Sequence, residues 1–145
     1  MRVAYPFKEP DTVLEELARK VSPRMLEAPE RLDDVRRELD EYFRGARRRF
    51  DLRLDRRLMS PFAKDVLGAT ARVPFGRLAT YGEIAGKIGR PRAARAVGAA
   101  LGANPIPIVV PCHRVIGAGG NLTGYGGGLP RKELLLSLEG SLPAE

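Results

Sequence analysis

The side chains best suited to chemistry are neighbours in the chain, Cys112 and His113. They are the only cysteine and the only histidine among 145 residues. A free thiol has a pKa of about 8.5, so it becomes a strong nucleophile at neutral pH only when a base or a positive charge assists its ionisation. Adjacent residues of a strand point to opposite sides, so we expect His113 to reach the thiol through a bridging water.

A lone cysteine is more often a small buried apolar residue than a nucleophile. The neighbouring histidine, the nearby prolines and a following glycine-rich segment favour the nucleophile here, but they leave its electrophile unidentified. One cysteine excludes an intrachain disulfide. One cysteine and one histidine also exclude a zinc site rich in these two residue types, so we predict no metal.

The segments around Cys112 must position it. The apolar run Ile106–Val110 is predicted to be a buried strand that leads to Pro111, with its prolines limiting the pairing. The glycine-rich segment after it contains Tyr125 and lacks both a phosphate-loop and a dinucleotide fingerprint. A last helix is predicted from about Pro130 to Glu139, ending at Gly140. Its predicted core face consists of Leu134, Leu135 and Leu138.

Three helices are predicted before that strand. Ser60-Pro61 is a cap followed by a first-turn proline, and it starts a helix that buries Phe62 and Val66. Thr80 to Glu83 is a capping box that opens a short helix ending at Gly89. Pro91 then starts another helix, which extends to about Leu101. The short turn between these last two helices predicts a helix-turn-helix.

The helix from Pro91 to Leu101 has an unusual outer face. Its predicted buried side consists of Ala94, Val97, Gly98 and Leu101. The opposite side carries Arg92, Arg95, Ala96 and Ala99. Small side chains allow another surface to approach the backbone closely, and arginine suits phosphates and grooves, so this face favours DNA contact. A helix packed on both faces inside one domain is the alternative.

Composition sets the outer limits. The chain is 43% hydrophobic and 30% charged, long enough for one domain or two small ones. It has no apolar run that could span a bilayer, and Met1–Pro10 lacks the apolar stretch of a secretory signal. We therefore expect a reducing, cytoplasmic location. The net charge of +7 permits a polyanionic partner, and most of the excess lies in residues 59–145, with 10 basic and 5 acidic side chains. A generic basic surface that binds no polyanion would give the same net charge.

Residues 1–58 are predicted to form a small α+β unit. A strand at Val3–Tyr5 is followed by a helix with a capping box at Thr12 and Glu15, ending near Lys20. A second helix is predicted from Pro29 to Gly45. Its apolar stripe consists of Leu32, Val35, Leu39 and Tyr42. Phe50, Leu52 and Leu54 alternate with charged residues and predict a strand. Arg47–Arg49 indicates a solvated turn more than a phosphate contact, and Arg56–Ser60 is the candidate linker.

Five motifs between Ser60 and Gly140 closely resemble the methylated-DNA–protein-cysteine methyltransferases, also called alkylguanine-DNA alkyltransferases. The motifs are Tyr81–Ala85, Ala93–Gly98, Asn104–Pro107, Pro111–Val115, and Tyr125 with Gly127–Leu129 and Glu139-Gly140. The pentapeptide around Cys112 is specific, whereas the helix-turn-helix or the glycines alone would be weak evidence. The resemblance implies an α+β fold in two parts. These are a compressed ribonuclease-H-like unit in residues 1–58 and a mainly helical domain with a winged-helix-like helix-turn-helix in residues 59–145.

The resemblance also implies a reaction. The alkyl group on O6 of guanine, with O4 of thymine as a further candidate, would pass to Cys112 after the base flips out of duplex DNA from the minor-groove side. The resulting thioether is not readily cleaved, so each molecule would act once. No cofactor is implied. The chain would be a cytoplasmic, nucleoid-associated monomer with no membrane partner.

Roles follow residue by residue from the same resemblance. Cys112 would be the nucleophile, His113 would take its proton through water, and Glu139 would hold the imidazole. Tyr81 would supply a proton to the leaving guanine, and Asn104 would bond near the thiol. The implied DNA-binding residues are Arg95, which would fill the gap in the stack, with Thr80, Tyr81, Ala94, Ala96, Ala99 and Arg92. The implied lining of the base pocket is Pro107, Tyr125, Gly126 and Gly127.

Three other functions stay open. An alkyltransferase-like protein would bind the lesion without chemistry, but that group normally lacks the cysteine that is present at position 112. A cysteine hydrolase would use Cys112 and His113 with an oxyanion hole that the sequence does not indicate. A plain helix-turn-helix regulator would leave the segment Pro111–Val115 unexplained.

Overall fold

The computed structural model describes residues 32–57, 59–122, 124–125 and 128–142. The chain divides into two compact units between Leu58 and Met59. The strand predicted at Val3–Tyr5 and the helix predicted to end near Lys20 lie outside the described residues. So do the pocket residues Gly126 and Gly127.

The first unit contains helix α1, Asp33–Phe43, which lies within the range predicted from Pro29 to Gly45. Tyr42 is fully buried and packs its ring against Phe50. Leu32 was predicted to share this apolar stripe, but it is half exposed because it lies before the first helical turn.

The strand predicted from Phe50 to Leu54 is not found among the residues that the structure describes. Phe50, Leu52 and Leu54 are half-buried and alternate with exposed residues, but their backbone pairs with no strand in the described part of the chain. Alternation predicts which side chains turn inward, and a strand also needs a partner. Arg47 beside this segment is held within the unit by ion pairs to Glu38 at 3.0 Å and Glu41 at 2.8 Å.

The second unit begins with helix α2, Pro61–Ala71, where Ser60 Oγ accepts a hydrogen bond from Ala63 N at 3.1 Å. Strand β1, Ala79–Thr80, leads directly into helix α3, Tyr81–Lys87. Helix α4 follows as Ala94–Gly102. The predicted caps at Ser60 and Thr80 are confirmed, because caps depend on a few adjacent residues. Helix α4 starts three residues later than predicted, after a turn at Pro91.

The remaining elements bring the cysteine segment against these helices. A single 3₁₀ turn, Cys112–Arg114, precedes strand β2, Val115–Ile116, and helix α5 spans Leu129–Leu138. Strands β1 and β2 are parallel, with Ala79 opposite Val115 and Thr80 opposite Ile116. Fully buried side chains from the helices and β2 form the core: Val66, Ile84, Val97, Val115 and Leu136.

The strand predicted at Ile106–Val110 is wrong. The segment is mostly buried but turns, since Val110 N donates to Ile106 O at 3.0 Å and Ile108 has φ of +74°. Only an isolated bridge joins Pro107 and Val110. Prolines remove backbone donors and fix φ, so this apolar run cannot form a regular ladder.

The inner face of α5 was also predicted incorrectly. Leu135 is buried as expected, but Leu134 is 64% exposed and Leu138 is 38% exposed. The buried positions of this segment are Lys132, Leu135, Leu136 and Glu139. Their spacing is i, i+3, i+4 and i+7, the pattern of one helix face. The leucine pattern did not predict this stripe because its first and last positions are the charged residues Lys132 and Glu139.

Candidate active site

Cys112 begins the 3₁₀ turn and is 7% exposed. Its amide donates to Val110 O at 2.8 Å across Pro111, which fixes the direction of the chain just before the thiol. Burial raises the pKa of the thiol, because the charged thiolate loses hydration. Hydrogen bonding from Asn104 and the positive charge of Lys132 act in the opposite direction on the same pKa. The resting sulfur is therefore a protonated thiol that needs a base.

Asn104 shapes the turn that carries the cysteine. Its side-chain nitrogen donates to Val110 O at 3.1 Å, and its side-chain oxygen accepts from Ile106 N at 3.0 Å. These two bonds close the buried turn from both ends. They compensate the left-handed backbone at Ile108, which is costly for a β-branched residue.

Glu139 joins the two residues that follow the cysteine. Its Oε1 lies 2.7 Å from His113 Nε2. Arg114 donates to both carboxylate oxygens, from Nε at 2.9 Å and from Nη2 at 2.8 Å. Arg114 Nη1 also donates to Val73 O at 2.7 Å. The arginine thus connects the end of α5 to the segment after α2, and the fork geometry fixes the plane of the carboxylate.

The bond to Glu139 sets the tautomer of His113. A carboxylate only accepts, so Nε2 carries the proton and Nδ1 presents its lone pair. Nδ1 is buried and has no hydrogen-bond partner among the residues that the structure describes. Burial lowers the pKa of His113, with Glu139 acting in the opposite direction. The imidazole is therefore neutral at pH 7 and can accept a proton.

Lys132 is a charged residue of this site that the sequence analysis missed. It lies in the first half of α5 and is fully buried. Its Nζ donates to Val115 O at 2.7 Å and lies 6.0 Å from the centroid of the Tyr81 ring. Desolvation lowers the pKa of Lys132, whereas Cys112 raises it. The signal that could have identified it is the i, i+3, i+4, i+7 stripe that it begins.

Thr80 and Tyr81 form the start of α3. Thr80 Oγ1 accepts from Glu83 N at 3.1 Å, and Glu83 Oε2 accepts from Thr80 N at 2.7 Å, which completes the capping box. The Tyr81 ring is half-buried beside Gly98 of α4, where an added Cβ would lie 3.8 Å from it. Tyr81 therefore lies between α4 and Lys132.

The outer face of α4 is exposed as a row of small and basic side chains. Arg95, Ala96 and Ala99 are exposed, as is Arg92 in the preceding turn, whereas Ala94 is half-buried. Of the predicted pocket residues, Pro107 is buried and Tyr125 is half-buried. Hydrogen bonding from Tyr125 acts to lower the pKa of the Cys112 thiol, against the larger effect of burial. The predicted roles of all these residues remain predictions.

The described residues contain no group of three or more His, Cys, Asp or Glu side chains that could hold a metal ion. Within the same part of the chain, no helix is both long enough and apolar enough to cross a membrane.

Comparison with known proteins identifies the family. Residues 61–141 match the family described as 6-O-methylguanine DNA methyltransferase, DNA binding domain. The chain belongs to this family. The resemblance predicted from the motifs around Cys112 is thereby confirmed.

Individual family members resemble both the sequence and the fold. A methylated-DNA–protein-cysteine methyltransferase of Mycolicibacterium paratuberculosis is 59% identical over 102 residues, which cover 70% of this chain and 61% of that protein. The Mycobacterium tuberculosis OGT in complex with DNA is 52% identical with a TM-score of 0.72, over 75% of this chain and 66% of that one. The O6-methylguanine-DNA methyltransferase of Pyrococcus kodakaraensis is 30% identical with a TM-score of 0.70, over 90% and 78%. The match therefore spans about three fifths of the length of the mycobacterial relative.

Proposed function

We propose that this protein repairs DNA by transferring an alkyl group from O6 of guanine in duplex DNA to Cys112, once per molecule. O4 of thymine is the second substrate that the same chemistry allows. The observation that carries the proposal is the buried arrangement of a thiol followed by a histidine whose tautomer is set by a carboxylate. Family membership and a relative solved in complex with DNA support the substrate class.

Proton transfer follows from the charges of the site. A water placed between Nδ1 of His113 and the Cys112 sulfur would carry the thiol proton to the imidazole. Glu139 stabilises the imidazolium that forms, and Arg114 orients the carboxylate through two hydrogen bonds. The thiolate then displaces guanine from the alkyl carbon in line. One S–C bond forms and one C–O bond breaks.

The leaving guanine must gain a proton to end as the neutral base. We assign this proton transfer to Tyr81, which begins α3 and borders α4. The thiol proton that His113 accepts then replaces, through water, the proton that Tyr81 gives to guanine. The products are therefore a thioether and guanine, with no net gain or loss of protons. No cofactor enters this balance.

DNA binding is assigned to the outer face of α4 and the start of α3. Alanines at 96 and 99 let the helix backbone approach a groove, and Arg92 supplies positive charge beside it. Arg95 would occupy the space in the stack left by the flipped base, with Thr80 and Ala94 at the edge of the same surface. Flipping costs a few kcal/mol and costs less for a poorly paired alkylated base, which favours the lesion. We assign helices α3 and α4 to a winged-helix-like helix-turn-helix that contacts DNA. We assign the unit before Met59 to a compressed ribonuclease-H-like unit.

The decisive experiment combines the protein with a duplex containing O6-methylguanine and measures the intact mass. We expect the mass to rise by one methylene per chain, with the adduct on Cys112. Cys112→Ser should show no mass increase while its DNA affinity stays close to that of the wild type. Tight binding of the lesion with an unchanged wild-type mass would instead identify a binding protein. Repeated turnover of an ester or peptide would identify a hydrolase.

Arg95→Ala tests the flipping step. We expect it to slow transfer from duplex DNA much more than transfer from the free alkylated base, because only the duplex needs its gap filled. Arg92→Ala serves as the matched control, since it removes the same charge from the preceding turn. Equal losses of Arg95→Ala on both substrates would contradict the assigned role.

A further inference from the structure

A groove of about 490 Å³ lies between helix α3 and the segment that joins α2 to β1. On the side of that segment, Val73 and Ala79 are buried and Leu78 is half-buried. On the side of the helix, Gly86 is exposed and has open space where a side chain would begin. We call the space between these four residues the α3 groove. Its floor is apolar, and its helical wall leaves room for a side chain of a ligand.

Hydrogen bonds hold both walls of the α3 groove in place. Arg114 Nη1 donates to Val73 O at 2.7 Å, and Arg77 N donates to Pro74 O at 3.0 Å. The capping box fixes the start of α3 on the opposite wall. A preformed groove needs little ordering when a ligand binds, so less of the binding free energy is lost to conformational entropy.

Two exposed cations, Arg77 and Lys87, line the α3 groove without a counter-charge. Neither side chain forms an ion pair or a hydrogen bond with any residue that the structure describes. Glu83 precedes Lys87 by four residues, a spacing at which helical ion pairs normally form. Its Oε2 instead accepts from Thr80 N at 2.7 Å in the capping box. The α3 groove therefore combines an apolar floor with two unpaired positive charges.

The α3 groove and Tyr81 lie on different sides of the helix. Successive helical residues are about 100° apart, so Glu83, Gly86 and Lys87 each lie at least about 120° from Tyr81 around the axis. The Tyr81 ring lies beside Gly98 of α4. If DNA contacts Tyr81 and the outer face of α4, as the proposed function requires, the α3 groove stays open in the DNA complex.

We propose that the α3 groove binds a short segment of a partner protein in which acidic side chains stand beside large apolar ones. The apolar side chains would cover the floor, and the carboxylates would pair with Arg77 and Lys87. A DNA backbone matches the groove less well, because it offers phosphates but no apolar side chain to cover Val73 and Leu78. Such a partner would be held while the other side of α3 contacts DNA, and only this last point rests on the proposed function.

The test measures the binding of short fluorescein-labelled peptides by fluorescence anisotropy at low salt. The probes are a panel of peptides that contain glutamate and leucine in different orders, with a matched panel in which glutamine replaces glutamate. We expect at least one acidic peptide to bind, and its glutamine counterpart to bind about ten-fold more weakly, because two exposed ion pairs are lost. Added salt should weaken the acidic peptide and leave the glutamine peptide nearly unchanged.

Three variants locate the bound peptide. Arg77→Ala and Lys87→Ala should each weaken binding about three-fold, the usual contribution of one exposed ion pair, and Lys64→Ala on α2 should have no effect. Gly86→Leu fills the groove and should weaken binding ten-fold or more. It should keep the helix, because leucine is a better helix former than glycine. Gly102→Leu, at the exposed end of α4, is the matched control and should bind like the wild type.

The proposal is overturned if no peptide of the acidic panel binds, or if Arg77→Ala, Lys87→Ala and Gly86→Leu all bind like the wild type. If circular dichroism shows that Gly86→Leu does not fold, the two cation variants decide. A saturating DNA duplex should leave the affinity for the peptide unchanged, whereas displacement of the peptide would assign the α3 groove to DNA and overturn the proposal. Wild-type protein that binds the peptide but transfers no alkyl group to Cys112 would count only against the proposed function.

Discussion

Glu139 accepts three hydrogen bonds from two buried side chains, and each of them is strengthened by its negative charge. The carboxylate is also the only acidic group that holds Arg114 in the described part of the site. Its removal leaves a buried guanidinium without an anion. Glu139 therefore both sets the tautomer of His113 and attaches the turn to the end of α5.

For Glu139→Gln we expect unfolding free energy to fall by about 3 kcal/mol, the usual cost of breaking a buried ion pair. Transfer to Cys112 should slow as well, because the imidazolium loses its counter-charge. Urea unfolding and single-turnover kinetics measure the two effects. Glu133→Gln, on the exposed side of the same helix, should change neither. An unchanged free energy of unfolding in Glu139→Gln would mean that the ion pair with Arg114 makes no net contribution to stability.

His113 makes stability depend on pH. Its folded-state pKa lies below the usual 6.5 because of burial, so the unfolded chain binds more protons below that pH. We expect this residue to remove stability as the pH falls below about 6.5, by at most about 1.4 kcal/mol per pH unit. Urea unfolding of the wild type and of His113→Gln at several pH values isolates the contribution. Equal slopes in the two proteins between pH 6.5 and 5 would contradict it.

The chemistry at this scale was only partly predictable. The adjacent Cys112 and His113 stand out because each residue type occurs once. The bond from His113 to Glu139 spans 26 positions, and no local pattern predicts it; only the family resemblance suggested it. Lys132 was missed because a lysine on a helix is normally solvated, and hydropathy cannot recognise a buried charge that the fold satisfies.

Elements show where local rules succeed. The caps at Ser60 and Thr80 and the left-handed stop at Gly89 depend on residues three or four apart, and they lie where the sequence predicts. The turn at Ile106–Val110 was predicted as a strand because a short apolar run fits a buried strand and a buried turn equally well. The segment bends because the Asn104 side chain forms hydrogen bonds with the backbone of Ile106 and Val110, and the apolar pattern does not predict these bonds.

Alanine substitutions at glycine compare positions inside helices with a position in a turn. Gly68 lies within α2 with open space at its Cβ position, so Gly68→Ala should stabilise the fold by about 1 kcal/mol. Gly98→Ala should be tolerated, because the new methyl would meet the Tyr81 ring at an ordinary 3.8 Å. Gly76→Ala should destabilise by about 1 kcal/mol or more, since its φ is +77°. Thermal unfolding ranks the three variants, and a stabilised Gly76→Ala would contradict this account of the turn.

At the scale of the whole molecule, the net charge of +7 favours a polyanion, and the second unit carries most of the excess. Composition predicted this tendency but not its location. The exposed row of small and basic residues on α4 is the location that we propose. Arg47 in the first unit is excluded from this surface charge because it is paired with Glu38 and Glu41.

The salt dependence of DNA affinity measures how many phosphate contacts this surface makes. Each phosphate contact that is lost reduces the slope of log K against log salt by about 0.9. We expect Arg92→Ala to reduce the slope by about that amount, because we assign its exposed guanidinium to a phosphate. Lys64→Ala, which changes the net charge equally on α2, should leave the slope unchanged. The same reduction in both variants would mean that binding follows total charge instead of a defined face.

The closed surroundings of Cys112 have a consequence for the protein before it meets damage. Peroxide and other oxidants attack thiolates that they can reach. A sulfur that is 7% exposed and rests as a thiol offers them little. Under the single-transfer function that we propose, the thiol would therefore stay unoxidised until an electrophile is bound beside it.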